Sequence, residues 1–293
     1  MVKSMKREKL KTNPIFKLII IILLILFCLL LYSRFISTSG LKVKEYKIVN
    51  ENISDNFHGL KIIHISDIHF GSIINSKRLE KLVEKINFIK PDIVVLTGDL
   101  IDRDTKLNEQ DIEDISNNLK KINANIEKYA IRGNHDYYFS DWETIIENGN
   151  FINLDNNYDY IYKDGYEPIL ITGLSSIQDS TDFTTRYDNL HQEIENQDIN
   201  SIYQILLIHE PDLIDNITLN NYNLVLAGHS HNGQIRLPFI GSLIKVDGAK
   251  KYYDEYYQIE DTQLYISGGI GTSNLDFRFF NKPSFNLYRL TNK

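Results

Sequence analysis

Residues 61–69 of the chain are Lys61-Ile62-Ile63-His64-Ile65-Ser66-Asp67-Ile68-His69. The run Lys61–Ile65 predicts a β-strand, because a few consecutive apolar residues are typical of a strand that is covered on both faces. Asp67 and His69 follow at once, and on an extended segment their side chains point the same way. We therefore expect a buried strand that ends at two side chains able to bind one metal ion together.

The same arrangement occurs in the rest of the chain. Four further apolar runs predict strands, at Ile93–Leu96, Tyr129–Ile131, Ile205–Ile208 and Leu224–Ala227. Each run ends one to three residues before a polar cluster, and these clusters are Gly98-Asp99, Gly133-Asn134-His135-Asp136, His209-Glu210 and Gly228-His229-Ser230-His231. The clusters should converge, because sites in α/β sheets gather at the carboxyl ends of the strands.

The segments between the runs indicate the fold class. Residues Ser76–Phe88 predict a helix with Leu79, Leu82, Val83 and Ile86 on one face. Alternation of strands and helices predicts an α/β layered domain. Gly98, Gly133 and Gly228 lie where a tight turn must bring a side chain back over a strand end.

The residue types at the clusters indicate a metal site. Carboxylate, imidazole and amide groups without a thiolate favour Mn²⁺, Fe²⁺, Zn²⁺ or Mg²⁺, and the single cysteine, Cys28, lies outside the clusters. A turn after Gly228 could divide His229 and His231 between two ions. Two divalent cations a few ångströms apart can generate hydroxide at neutral pH and hold a phosphoryl group. The clusters therefore predict metal-dependent hydrolysis.

Charge and length narrow the function further. The 293 residues suffice for one large core, and the chain carries a net charge of −7. Residues 1–36 hold seven Lys or Arg and one Glu, a balance of +6, so residues 37–293 carry −13. An acidic body lacks the basic surface that a nucleic-acid backbone requires, so we expect no nucleic-acid partner.

The N-terminal region predicts a membrane anchor. Residues Ile15–Tyr32 are apolar except for Lys17, and Phe35 and Ile36 extend the span enough for one transmembrane helix over residues 15–36. The basic residues of segment 1–14 predict a cytoplasmic N-terminus, which makes this a single-pass cell-membrane protein with an extracytoplasmic body. Residues 37–46 are then a linker, and residues 47–293 are the catalytic domain.

Two alternatives compete with a retained anchor. A cleavable signal peptide could use the small residues Ser37 to Gly40 as its cleavage site. A buried core helix is disfavoured, because the run has no polar face.

The complete motif series resembles that of the calcineurin-like metallophosphoesterases, from about Lys61 to Gly271. The matching motifs are Asp67-x-His69, Gly98-Asp99-x-x-Asp102, Gly133-Asn134-His135-Asp136, His209 and Gly228-His229-x-His231. The segments Gly228–Ile235 and Ser267–Ser273, with Arg278 and Pro283, resemble the membrane-anchored bacterial branch, which is related to UDP-2,3-diacylglucosamine pyrophosphatases. The resemblance implies a four-layer α-β-β-α sandwich with two central mixed sheets, preceded by the anchor helix.

The resemblance also implies a role for each residue. Asp67, His69 and His231 would hold one divalent cation, Asn134, His209 and His229 a second, and Asp99 would bridge the two. His135 would protonate the leaving oxygen, for which a near-neutral imidazole pKa is suited, and Asp136 or Asp102 would orient it. Asn232 and Arg278 are candidate substrate-binding residues, although Arg278 could instead pair with an acid such as Asp276.

The predicted function is hydrolysis of a phosphodiester, phosphomonoester or pyrophosphate by a hydroxide that bridges two metal ions. The anchor favours a lipid-linked or cell-envelope phosphoester as substrate, and a soluble nucleotide or phosphodiester is the alternative. A non-catalytic scaffold of the same fold is disfavoured, because the seven ligands and His135 are all present. His64 lies inside a strand run and predicts a hydrogen-bonded core histidine.

Overall fold

A computed structural model describes residues 13–197, 199 and 201–293 of the chain. Most of the predicted cytoplasmic segment 1–14 thus lies outside the described residues. The helices are α1 Pro14–Leu31, α2 Ser76–Ile89, α3 Glu109–Lys120, α4 Trp142–Asn148 and α5 Phe183–Glu195. The strands are β1 Lys42–Val49, β2 Lys61–Ile65, β3 Ile93–Thr97, β4 Glu127–Ile131, β5 Ile152–Asn153, β6 Asn157–Ile161, β7 Ile169–Gly173, β8 Tyr203–Leu207, β9 Leu224–Ala227, β10 Arg236–Leu237, β11 Gly241–Ser242, β12 Tyr256–Ile259, β13 Thr262–Ile266 and β14 Ser284–Thr291.

Two mixed six-stranded sheets form the centre of the domain. The first has the order β1-β14-β2-β3-β4-β5, and its strands are parallel except that β14 runs antiparallel to β2. The second has the order β12-β13-β9-β8-β7-β6, with antiparallel pairs at its two edges. The five predicted strands are therefore confirmed as β2, β3, β4, β8 and β9.

Alternation along the strands explains why their sequences are apolar throughout. In β3, Ile93 and Val95 face the second sheet, whereas Val94 and Leu96 face helices α2–α4. In the second sheet, Leu206 and Val225 pack against α5 on the outer face. Because successive side chains alternate and both faces are covered, every position of β3, β7 and β9 is buried. These layers confirm the predicted α-β-β-α sandwich.

The N-terminal helix is apolar and exposed, as a membrane span requires. The Asn13 side chain accepts a hydrogen bond from the N–H of Ile15 at 3.0 Å, and Pro14 occupies the first turn. After Leu31 the helix continues as a π-helical turn, Tyr32–Ile36. The 23 residues Pro14–Ile36 are long enough to cross a membrane.

The predicted linker is wrong in its second half, because β1 begins at Lys42 and pairs with β14 along all eight residues. The sequence signal was weak since β1 is an edge strand, and its burial pattern leaves only Ile48 fully inside. In the register, Lys42 lies beside Ser284, and β14 is antiparallel to β2. Helix α1 therefore joins the domain at the end of the sheet where β2 ends.

The N-terminal helix and its π-helical turn also contact the domain directly. The N–H of Arg278 donates to the carbonyl of Ser33 at 3.1 Å, and Arg34 forms a salt bridge with Asp276 at 3.4 Å. The ring of Tyr32 lies 5.9 Å from that of Phe279. The last turns of the helix thus pack on the C-terminal segment that precedes β14.

Candidate metal centre

The five polar clusters meet at the carboxyl ends of β2, β3, β4, β8 and β9. The backbone at the candidate ligands is unusual. Five of them have φ values between +47° and +65°, namely Asp67, His69, Asp99, His229 and His231. L-residues rarely adopt this left-handed conformation, and such conformations concentrate at functional sites. The turns therefore carry a conformational cost that points to function at these positions.

Glycines allow the turns to approach one another closely. Gly98 has φ +89°, and a Cβ on it would lie 2.4 Å from the backbone nitrogen of Gly133. A Cβ on Gly133 would lie 2.3 Å from Asp99 Oδ1, and one on Gly228 only 2.0 Å from Ser66 Oγ. Gly98 thus serves a left-handed turn, whereas Gly133 and Gly228 are needed mainly because no side chain fits.

One group of donors consists of Asp67, His69 and His231. The Nε2 atoms of His69 and His231 lie 3.1 Å apart, and His231 Nε2 lies 3.4 Å from Asp67 Oδ1. Ligand atoms around a cation with bonds of about 2.0–2.2 Å are separated by roughly 3.0–3.5 Å. The three buried side chains therefore fit one divalent cation.

The second group consists of Asp99, His209 and His229, with Asn134 beside them. His209 Nε2 lies 3.1 Å from Asn134 Oδ1, 3.2 Å from His229 Nδ1 and 3.3 Å from Asp99 Oδ2. The same Asp99 oxygen lies 3.6 Å from His69 Nε2 of the first group. Asp99 is therefore placed between the two groups, where a bridging carboxylate would have to be.

Neighbouring groups orient the imidazoles. His209 donates from Nδ1 to the carbonyl of Thr97 at 2.7 Å, and His229 donates from Nε2 to the carbonyl of Asp247 at 2.6 Å. In each neutral ring the other nitrogen then turns a lone pair toward the centre, as metal ligands do. His231 differs because its Nδ1 faces a donor, the Arg278 guanidinium, at 3.2 Å. The second group is thus the better organised of the two.

Asp136 and Asp102, the acidic residues near His135, contact other groups of the site. Asp136 accepts hydrogen bonds from the backbone N–H groups of Asp99, Ile101 and Gly133, at 2.8, 3.2 and 2.9 Å. Asp102 Oδ2 lies 3.5 Å from Nδ1 of His69. Asp136 thus holds the turns together and Asp102 faces a candidate ligand. An Asp102 carboxylate oxygen also lies within 4.8 Å of a His135 ring nitrogen, and an orienting role for either acid stays a prediction.

His135 itself is held by backbone groups. Its N–H donates to Asp99 Oδ1 at 2.8 Å, and its Nδ1 accepts from the N–H of Arg103 at 3.2 Å. In the neutral ring the proton then resides on Nε2. Burial lowers the pKa of His135 to about 4, below the near-neutral value that the sequence suggested.

Residues 60–268 match the family described as calcineurin-like phosphoesterase. The chain belongs to this family. It is 31% identical over 268 residues to the uncharacterized metallophosphoesterase YkuE of Bacillus subtilis, covering 88% of each chain. It is 30% identical to the uncharacterized metallophosphoesterase Cj0846 of Campylobacter jejuni, covering 98% of this chain and 74% of the relative. A Danio rerio transmembrane protein with a metallophosphoesterase domain is 25% identical, over 94% of this chain and 63% of its own.

Membership in the calcineurin-like phosphoesterases, together with the donor groups, makes the chain a metal-dependent phosphoester hydrolase. The family uses divalent metals, and the two groups are candidate sites for them. The relation to UDP-2,3-diacylglucosamine pyrophosphatases stays a prediction, as do the individual ligand roles.

The buried charges of the phosphoesterase site depend on one another. Burial alone would raise the pKa of Asp99, but the charge of His209 holds it well below the usual value. Burial likewise opposes protonation of His209, but Asp99 raises its pKa well above the usual value. Burial raises the pKa of Asp67. The two groups thus bury carboxylates whose charge a cation can neutralise.

A cavity of about 630 Å³ opens over both donor groups. Asp99, Asn134, His135, His229 and His231 line its floor. Two cationic side chains that sequence reasoning missed, Arg103 and Lys245, also line it. They were missed because neither belongs to a motif quoted above, and only the folded chain brings them to the cavity.

The two predicted substrate-binding residues lie elsewhere. Arg278 is completely buried, and its guanidinium donates to the carbonyls of Gly268 and Gly271 as well as facing His231. Asn232 is 1% exposed, and the described residues that line the cavity include neither side chain. Arg278 thus ties the C-terminal segment to a candidate ligand, and a contact of either residue with substrate stays a prediction.

Proposed function

We propose that the chain hydrolyses a phosphodiester, phosphomonoester or pyrophosphate with two divalent cations, and that its substrate is lipid-linked or part of the cell envelope. The observation that carries the dinuclear proposal is the position of Asp99 Oδ2, which lies 3.6 Å from His69 Nε2 and 3.3 Å from His209 Nε2. One carboxylate oxygen that reaches both donor groups is what a shared ligand requires.

In this proposal Asp67, His69 and His231 hold one cation, and Asn134, His209 and His229 hold the other. Bound cations would supply an activated hydroxide and neutralise charge that develops at phosphorus. Mn²⁺, Fe²⁺, Zn²⁺ and Mg²⁺ all suit these oxygen and nitrogen donors.

The remaining steps belong to the side chains around the centre. His135, whose Nδ1 accepts from the Arg103 N–H, can donate a hydrogen bond from Nε2 to the leaving oxygen and stabilise the charge that develops there. Arg103 and Lys245 line the cavity and can pair with phosphoryl oxygens that the cations leave free. Ile235, Ile244 and Leu275 form an apolar side of the cavity that suits the organic part of the substrate.

The membrane placement supports the substrate class. Contacts of Tyr32, Ser33 and Arg34 with the domain favour an anchor that is retained rather than cleaved. The basic N-terminus favours an extracytoplasmic catalytic domain in the cell membrane. An alkaline phosphatase fused after Lys293 should therefore be active, and an inactive fusion would contradict this orientation.

Metal-dependent hydrolysis of bis-p-nitrophenyl phosphate by the full chain in detergent tests the activity. Asp99→Ala and Asn134→Ala should each lower turnover about 100-fold or more and reduce bound metal. The matched control Asp141→Ala, an exposed residue, should change neither. Hydrolysis at the normal rate by Asp99→Ala would refute the dinuclear assignment.

Two further comparisons separate the finer claims. His135→Ala should retain metal yet lose turnover on esters with poor leaving groups more than on the activated nitrophenyl ester. Faster cleavage of soluble nucleotides than of any lipid-linked pyrophosphate would establish the soluble alternative. Full metal binding without any hydrolysis would indicate a scaffold.

A further inference from the structure

An exposed group of large apolar side chains lies beside the anchor. Phe239 is fully exposed, Ile240 is 71% exposed and Phe280 is 58% exposed. The three line one shallow cleft, and Leu243 and Ile244 are exposed nearby. Single exposed apolar residues are normal on soluble proteins, but a contiguous group of them marks a contact surface.

A short hairpin presents the first two of these side chains. Its strands are β10 and β11, and its tip is Pro238-Phe239-Ile240. The base is fixed, because the N–H of Arg236 donates to the carbonyl of Phe279 at 2.9 Å and the Arg236 side chain pairs with Asp254 at 2.7 Å. These two contacts fix the base of the hairpin, so that its tip projects away from the domain.

The hairpin is continuous with the contact between domain and anchor. Phe279, which receives the Arg236 hydrogen bond, packs on Tyr32 with Phe280 beside it, at ring distances of 5.9 and 6.3 Å. Tyr32 lies four residues before the helix ends at Ile36, which places it about 6 Å back toward the membrane. Phe280 and the cleft it shares with Phe239 thus lie at about the same height along the helix axis as the last helical turn, near the membrane surface.

We propose that the hairpin tip, Phe239 and Ile240, inserts with Phe280 into the boundary between headgroups and acyl chains of the membrane that α1 crosses. Apolar and aromatic side chains favour this boundary and would bury there to a depth of about 5–10 Å. A second copy of the chain is a poorer partner for this surface than the membrane. The exposed group amounts to on the order of 500 Å², below the roughly 800 Å² that each partner of a stable dimer buries.

The contact has a consequence for catalysis that rests on the proposed function. Ile244, Lys245 and Leu275 line the catalytic cavity, and Ile244 lies two residues after the end of β11. One wall of the cavity thus continues into the membrane-facing surface. A phosphoester lipid could reach the metal centre while its acyl chains stay in the bilayer.

Fluorescence quenching tests the contact in the full chain reconstituted into phosphatidylcholine vesicles. Phe239→Trp places a reporter at the tip, and Tyr166→Trp is the matched control. Tyr166 is 99% exposed in the loop between β6 and β7, at the end of the second sheet opposite the site. The native Trp142 is buried and gives the same background in both variants.

Lipids brominated near the headgroup end of their acyl chains should quench the residue-239 reporter about twofold, and iodide in the aqueous phase should not. The residue-166 reporter should show the reverse. Quenching at residue 239 by iodide alone would overturn the proposal, because the tip would then face water. Protection from both quenchers would also overturn it, since protein would then cover the tip.

A separate assay tests whether a lipid substrate reaches the cavity from the bilayer. Phe239→Ser with Ile240→Ser should lower hydrolysis of a phosphoester lipid in vesicles about tenfold, with bis-p-nitrophenyl phosphate cleaved at the normal rate. Tyr166→Ser should change neither rate. An unchanged rate on the vesicle substrate would overturn the route. The quenching does not depend on turnover, so an inactive protein with a quenched tip would refute the proposed function and not the membrane contact.

Discussion

His64 should make the protein sensitive to mild acid. Its ring is completely buried in β2, and it lies between Tyr288 of β14 and Thr97 of β3, at 3.2 and 2.8 Å. Asn286 donates to the Tyr288 hydroxyl at 2.8 Å, which leaves that hydroxyl to donate to His64 Nδ1. His64 then donates from Nε2 to Thr97. The network is complete with a neutral ring, which confirms the prediction of a hydrogen-bonded core histidine.

The size of the effect follows from the pKa. Burial lowers the pKa of His64 from 6.5 to about 3, so the unfolded chain binds a proton that the folded chain does not. The contribution to stability is present above about pH 6.5 and is lost as the pH falls toward 3, at about 1.4 kcal/mol per pH unit. Between about pH 7.5 and pH 5 the loss through this one residue is about 2 kcal/mol.

Urea unfolding of the full chain in detergent measures this loss. Trp142 is the single tryptophan and is buried, so its fluorescence reports unfolding without a label. His64→Phe should be less stable at pH 7.5 by about 1–3 kcal/mol, because Thr97 and Tyr288 lose a partner. Between pH 7.5 and pH 5, however, the variant should lose about 2 kcal/mol less than the wild type.

Both proteins contain the other histidines, so the contributions of those residues to the pH dependence cancel in the comparison. His58→Phe, in a polar turn, serves as the control and should keep the pH dependence of the wild type. Equal losses of unfolding free energy in the wild type and in His64→Phe would refute the reasoning, since the buried ring would then not be neutral for the reason given.

Three further predictions concern the site. Asp136→Asn should destabilise the chain by about 1–3 kcal/mol, because an amide N–H₂ would face backbone N–H donors, and urea unfolding followed by Trp142 fluorescence would show it. Arg278→Met should lower bound metal and kcat with KM little changed, because its guanidinium holds the carbonyls of Gly268 and Gly271 in the turn that packs against Asp67 and His231; a raised KM with full metal content would support the substrate-binding role. Gly228→Ala should cut turnover at least tenfold, since its Cβ would lie 2.0 Å from Ser66 Oγ, and adding Ser66→Gly should recover part of the activity if this clash is the cause.

The sequence by itself determined the layers and the place of the site. Strands covered on both faces must be apolar throughout, so β2, β3, β4, β8 and β9 could be predicted from local composition. Parallel strands share an edge, so polar clusters that follow them must meet. The N-terminal helix was equally plain, because its apolar run is long enough to cross a membrane.

The partners of each polar side chain were decided only by the tertiary structure. Asp136 and Arg278 have the residue types of a catalytic orienter and a phosphate ligand, yet Asp136 binds backbone amides and Arg278 binds backbone carbonyls. Asp102 lies 3.5 Å from His69 Nδ1, a partner that the sequence did not suggest. Hydrogen bonding joins residues far apart in the chain, and a residue's type does not say which donor or acceptor the fold will bring to it.

The same limit applied to β1 and to the hairpin tip at Phe239. An edge strand buries little, so residues 42–46 had no apolar pattern to mark them. The exposed apolar side chains of the hairpin gain meaning only from Tyr32 and Phe280, which pack together across 248 positions of the chain. Local composition records how deeply a segment is buried, whereas the neighbour that makes a surface functional depends on the path of the whole chain.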